Sequence, residues 1–188
     1  MPKFITHTLA SAPQAAKPLL SGAQQKFGFI PNLLGAMAES PATIESYFNL
    51  SALFDKTTFT VTERQLVLLS VSRFRNCTYC LAAHSTIANM QKIPTDIVRA
   101  VYFNQPLNDA RLEALRTFIF AVLTADGLVG QEALQPFYQA GYQKQHVLEV
   151  VLGITLKTLS NFVNHINDTP IDANFLSGIP DNLLATTA

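Results

Sequence analysis

Apolar residues along this chain recur at offsets of three and four, and no stretch alternates apolar and polar residues between turn dipeptides. That spacing restricts the chain to helices packed on helices. Pro13 suits the first turn of a helix running toward Phe27, with Gly28 at its end. Ser40-Pro41 opens a second helix through Tyr47, Leu50 and Phe54. Thr60-Val61-Thr62-Glu63 is a capping box, and Thr62-Glu63-Arg64-Gln65 offers another in overlapping register; either starts a helix carrying Leu66, Leu69 and Phe74. Asn76, a favoured N-cap, predicts a new helix with Cys77 in its first turn, ending near Gln91 before Pro94. A short helix through Ile97, Val98 and Val101 follows. Asn108-Asp109 caps a long one that stops at Asp126-Gly127. Glu132 to Ala140, closed by Gly141, and about Gln143 to Asn167 complete the set. The segment after Thr169-Pro170 is expected to be a loop, and the closing Ala-Thr-Thr-Ala to fray. The segments Val61–Met90 and Gln131–Ile166 each end in a helix with a histidine, a faint hint of duplication. No linker divides residues 1–188, so one all-α domain is expected, with its core at about 41–125.

The balance of residues narrows the function classes. The chain is 48% hydrophobic and only 14% charged, against roughly 25% charged in average globular proteins. So apolar a surface predicts further burial between subunits, hence a homo-oligomer. Thirteen basic and thirteen acidic residues give zero net charge. Without a basic stripe, neither nucleic acid nor an anionic membrane is an expected partner. Met1 to His7 lacks the apolar run of a signal peptide, and no uninterrupted apolar segment is long enough to span a bilayer. A cytoplasmic location is the expectation.

Both cysteines of the chain lie in one octapeptide, Cys77-Thr78-Tyr79-Cys80-Leu81-Ala82-Ala83-His84. On a helix these offsets bring Cys77, Cys80 and His84 to one side. Thiols at this spacing can close and reopen a disulfide, and an imidazole one turn on can exchange the thiol proton. In a reducing compartment such a pair is redox-active or metal-binding rather than a structural staple. A zinc site would need a fourth ligand from His7, His146 or His165, none at a familiar spacing. A c-type haem site needs His where Leu81 stands. Neither metal nor cofactor is therefore expected. The remaining competitor is a pair of buried core cysteines.

Within a redox reading the roles separate. Cys80 has His84 one turn away and the more apolar setting. We assign it as the thiolate that attacks a peroxide and becomes a sulfenic acid, with Cys77 as the resolving thiol nearer solvent. His84 is the proton relay, against the plainer reading of a satisfied core histidine. Tyr79 is packing or a hydroxyl proton donor. Arg73 and Arg75 are solvated charges or aids to the thiolate. Glu63 and Gln65 are capping-box residues first and proton-relay candidates second.

The run Glu63-Arg64-Gln65-Leu66-Val67-Leu68-Leu69-Ser70-Val71-Ser72, then Asn76-Cys77-Thr78-Tyr79-Cys80 and His84, resembles the carboxymuconolactone decarboxylase superfamily in its AhpD-like alkylhydroperoxidase branch. Phe27 to Leu34, Asn164-His165 and Pro170-Ile171-Asp172 resemble its longer peroxidase-related members. The resemblance implies an AhpD-like helical bundle assembled as trimers or hexamers. It implies reduction of organic hydroperoxides by Cys80 and Cys77, with electrons from a lipoyl- or thioredoxin-like dithiol. It departs at two positions: Gln65 stands where the AhpD pattern has Glu, and Tyr79 where it has His. Glutamine cannot shuttle a proton as a carboxylate does. A general thiol-disulfide oxidoreductase with weak peroxidase activity, or a non-catalytic or metal-binding assembly, are the alternatives.

Overall fold

The computed structural model describes residues 5–180, and among them every regular element is helical. A 3-10 turn at Gln14–Ala16 leads into α1 (Lys17–Phe27), then α2 (Asn32–Met37), α3 (Pro41–Phe54), α4 (Val61–Phe74), α5 (Thr78–Met90), α6 (Thr95–Tyr102), α7 (Ala110–Thr124), α8 (Gln131–Gln139) and α9 (Lys144–Asn167). A second 3-10 segment, Ala173–Gly178, occupies the stretch expected to be a loop. The closing Ala-Thr-Thr-Ala lies outside the described residues. The buried six-residue α2 carries too little periodicity to be legible in advance.

Local chemistry sets the ends. Ser40 accepts the Thr43 amide at the start of α3, and Asp109 accepts those of Arg111 and Leu112 at the start of α7. Of the two overlapping boxes before α4, the chain uses Thr60 with Glu63. Helix ends repeat one device, a left-handed residue followed by an amide that reaches back five positions. Asn76 takes φ 53°, and the Cys77 amide reaches the Ser72 carbonyl at 2.9 Å. Lys92, Asn104, Asp126 and Asp168 do the same for α5, α6, α7 and α9. Asn76 thus closes α4 rather than opening α5, and Cys77 is the N-cap of α5.

The central helix is α4, whose residues from Gln65 to Ser72 are all buried. It packs on α5, α6, α7 and α9. One core gathers Phe54, Leu66, Leu69, Leu115, Phe118 and Ile119. At its edge Phe137 stacks between Phe118 and Tyr142, with centroids 4.3 and 4.5 Å apart. A second core joins Leu20, Leu33, Met37 and Ile44 to Cys77, Cys80 and Phe175. The two meet along α9. A Cβ at Gly153 would come within 2.5 Å of Val67 and 2.8 Å of Phe54. The bare backbone there lets α9 lie close on α3 and α4, one turn before Lys157.

Helix α9 is 24 residues long, and an 18-residue stretch of it has a mean hydropathy of 1.3, enough in length and composition to cross a membrane. Its buried face is nonetheless polar, with Lys157, Ser160, Asn161 and Asn164 at helical spacing. Those groups face protein, as in the core helix of a globular bundle.

Candidate active site

The two thiols are free and buried, each 1% exposed. With Cys77 at the N-cap and Cys80 one turn in, the sulfurs come together and the Cys77 thiol donates a hydrogen bond to the Cys80 sulfur. From α9 the Asn164 amide donates to Cys80 at 3.2 Å and lies 3.9 Å from the Cys77 sulfur. The Ser160 hydroxyl is 3.9 Å from Cys80. Lys157, 1% exposed as a residue, lies on the same buried face of α9 as Ser160 and Asn164, and its charge acts on the Cys80 thiol. Among the described residues, no carboxylate forms an ion pair with Lys157.

These contacts divide the thiols. Burial raises the Cys80 pKa, yet the Cys77 thiol, the Lys157 charge and the Asn164 amide outweigh it and hold Cys80 well below the ordinary thiol value. Cys77 moves the other way, because donation to Cys80 and then burial hold its proton on. Burial disfavours the Lys157 charge, but Cys80, Tyr47 and Cys77 raise its pKa on balance. These contacts favour a thiolate at Cys80 over one at Cys77, and a charged Lys157 beside it. Donors aimed at sulfur, rather than proximity of the imidazole, lower the Cys80 pKa.

His84, one turn beyond Cys80 on α5, bonds across to α4. Its Nδ1 lies 3.0 Å from Gln65 Oε1. Glutamine's oxygen only accepts, so Nδ1 carries the hydrogen and Nε2 has the free lone pair. Burial first, then the Lys157 charge, pushes the imidazole pKa well below its usual value. His84 is neutral near pH 7. It can take up a proton there but holds none in reserve as an imidazolium.

Glu63 and Tyr79, the other sequence candidates, bond elsewhere. The Glu63 carboxylate accepts from the Thr60 amide at 2.8 Å, the Tyr142 hydroxyl at 2.9 Å and Arg111 Nε at 3.1 Å. Burial raises its pKa, but these donors bring it below the usual value. The Tyr79 hydroxyl donates to Asp172 at 2.6 Å and accepts the Leu33 amide at 3.3 Å. Burial and Asp172 push the Tyr79 pKa far up. Its hydroxyl fastens the segment after α9 to α2 and α5. Arg75 stacks on Phe74 and Phe162. His7 bonds Glu39 and Ser11, and His146 accepts the Gln143 amide. Among the described residues, no group of three His, Cys, Asp or Glu side chains is arranged to hold a metal ion.

Lys157 and Ser160 escaped the sequence reading, and Asn164 entered it only as part of a resembling flank. Their signal was present: polar residues at 157, 160, 161 and 164 trace one face of a helix whose other positions are largely apolar. Above Cys77 opens a cavity of about 290 Å3, lined by Asn76, Thr78, Asn164, His165, Asp168 and Thr169 among others. Cys77 is the sulfur that reaches it.

No protein-family model matches the sequence, and no curated protein matches it significantly. Solved structures do match in fold. A peroxidase-related protein from Ralstonia eutropha JMP134, described as an alkylhydroperoxidase AhpD core, superposes with a TM-score of 0.82 at 22% identity, over 96% of this chain and 100% of that one. One from Silicibacter sp. TM1040 gives 0.78 at 18%, over 93% and 94%. The debrominase Bmp8, as a cysteine-to-alanine variant with 2,3,4-tribromopyrrole, gives 0.78 at 21%, over 95% and 96%. The chain has the AhpD-like all-α fold.

Proposed function

We propose that this chain is a thiol peroxidase that reduces small organic hydroperoxides through Cys80 and Cys77. The observation that carries the reading is the convergence of Lys157, Asn164 and the Cys77 thiol on the Cys80 sulfur. The Cys80 thiolate attacks the outer oxygen of ROOH. The O–O bond breaks, leaving Cys80 as sulfenic acid and releasing alkoxide, which becomes ROH on taking a proton. The Cys77 sulfur then displaces hydroxide from Cys80, and its own proton completes a water molecule. The resulting disulfide is reduced by a dithiol of the lipoyl or thioredoxin kind, which meets Cys77 from the cavity above it. His84 relays protons as a neutral base. Such a cycle suits the reducing cytoplasm.

The test is peroxide consumption with a dithiol reductant. Turnover by the wild type that Cys80→Ser abolishes is expected. Disulfide reduction without peroxide turnover would instead make the chain a general oxidoreductase.

The likeness to debrominase structures favours a second reading with the same residues. A soft thiolate can take bromine from a brominated pyrrole. Cys80 then carries S–Br, the ring carbon takes a proton, and Cys77 closes the disulfide with loss of HBr. Bromide release from a brominated pyrrole, in the presence of a dithiol, separates the two.

A further inference from the structure

The peroxide step leaves an alkoxide, a strong base, at Cys80, where the neighbouring His84 holds no spare proton and its partner Gln65 offers no acid. The charged side chains of α4 offer no acid: Glu63 is held as a carboxylate by Thr60, Tyr142 and Arg111, while Arg64, on the Phe59 carbonyl, and Arg73 are guanidiniums that keep their protons. Helix α2 has no titratable residue. The groups that face Lys157 are Cys80, Cys77 and His84 from α5 and Tyr47 from α3. Among the described residues no carboxylate pairs with Lys157, and a buried ammonium is costly unless another anion balances it. Here that anion is the Cys80 sulfur. When Cys80 is oxidised the anion disappears, and the reason for Lys157 to keep its proton disappears with it.

We propose that Lys157 is the acid of the reaction: its ammonium protonates the alkoxide as Cys80 opens the peroxide bond, so that the lysine is charged in the reduced protein and neutral in the disulfide. This inference rests on the peroxidase reading above. The balance is complete. Cys80–S⁻, Lys157–NH3⁺ and ROOH give Cys80–SOH, Lys157–NH2 and ROH. Cys77–SH and Cys80–SOH then give the disulfide and water. A dithiol returns two electrons and two protons, one proton to Cys77 and one to Lys157, with the Nε2 lone pair of His84 placed to pass the latter inward. The ammonium does the work that a carboxylic acid at position 65 would otherwise do.

Leaving groups test this directly. An alkyl hydroperoxide expels an alkoxide that needs a proton, whereas a peracid expels a carboxylate that does not. Lys157→Arg keeps the positive charge but holds its protons too tightly to give one up. Single-turnover oxidation of Cys80 by the alkyl hydroperoxide should slow by about a hundredfold in this variant, with the peracid rate within a few-fold of wild type. Equal loss on both oxidants, or no loss, would overturn the assignment. If the wild type oxidises with neither, the peroxidase reading fails instead.

Diamide still decides the lysine in that case, or if the variant does not fold. Reduction of diamide takes two electrons and two protons. In weakly buffered solution the reduced wild type should lose its ultraviolet thiolate absorbance with no net proton uptake, because Cys77 and Lys157 supply both protons. Uptake of one proton per protein, or no thiolate signal before oxidation, contradicts the proposal.

Discussion

The Cys77 thiol, the Lys157 charge and the Asn164 amide together lower the Cys80 pKa, and each contribution should be separable by substitution. Removing the Asn164 amide withdraws one hydrogen bond to a charged group, of order 1.5 kcal/mol. Asn164→Ala should therefore move the alkylation profile of Cys80 up by about one pH unit. Wild-type Cys80 should stay reactive well below the pH at which ordinary thiols fall silent; an alkylation profile with an ordinary thiol inflection would show that the donors do not act. Gln65→Glu replaces an amide oxygen by a carboxylate opposite His84 Nδ1, 3.0 Å away in the native protein. The charge should raise the imidazole pKa, seen by NMR titration, and increase alkyl hydroperoxide turnover. His84 also couples stability to pH. Its folded pKa is depressed, so the unfolded chain binds the proton more readily. Stability should be fully present above about pH 6.5 and fall as the pH drops below it. The melting temperature over that range should flatten in His84→Gln.

Among the elements, the turn between α4 and α5 decides where the sulfurs lie. Asparagine was legible as punctuation, but its side depended on backbone conformation. Asn tolerates the left-handed region and so ended α4, which left Cys77 at the N-cap. The helices themselves were readable because caps and apolar spacing agree; α2 and the 3-10 segment at Ala173–Gly178 were not, being held by tertiary contacts. Asp172 accepts the Tyr79 hydroxyl and the Asn32 amide, tying that segment to α5 and α2. Asp172→Ala strands both donors and should cost about 2 kcal/mol in urea unfolding. A Cβ at Gly178 would collide with the Ala82 carbonyl and Thr86 of α5. Gly178→Ala should therefore lift the segment and speed hydrogen exchange at the start of α5. Unchanged exchange would show that the segment does not brace the cysteine turn.

At the scale of the whole molecule, the dithiol motif and the all-helical pattern were visible in the sequence, while the partners of the thiols were not. Lys157 lies 77 positions beyond Cys80, and only the packing of α9 across α4 and α5 brings them together. The outer side of α9 presents Leu148 at 71% and Ile166 at 72% exposure, with Val151 and Phe162 between them. Such a stripe calls for a partner, and we propose that it is another copy of the chain. Light scattering should give a multiple of 20.6 kDa, and Phe162→Glu should shift it toward that mass. Counting the free thiols tests the redox cycle most directly. Adding one equivalent of an organic hydroperoxide to the fully reduced protein should consume both free thiols and yield one equivalent of the alcohol. Two thiols still titrating after exposure to the peroxide would contradict the account.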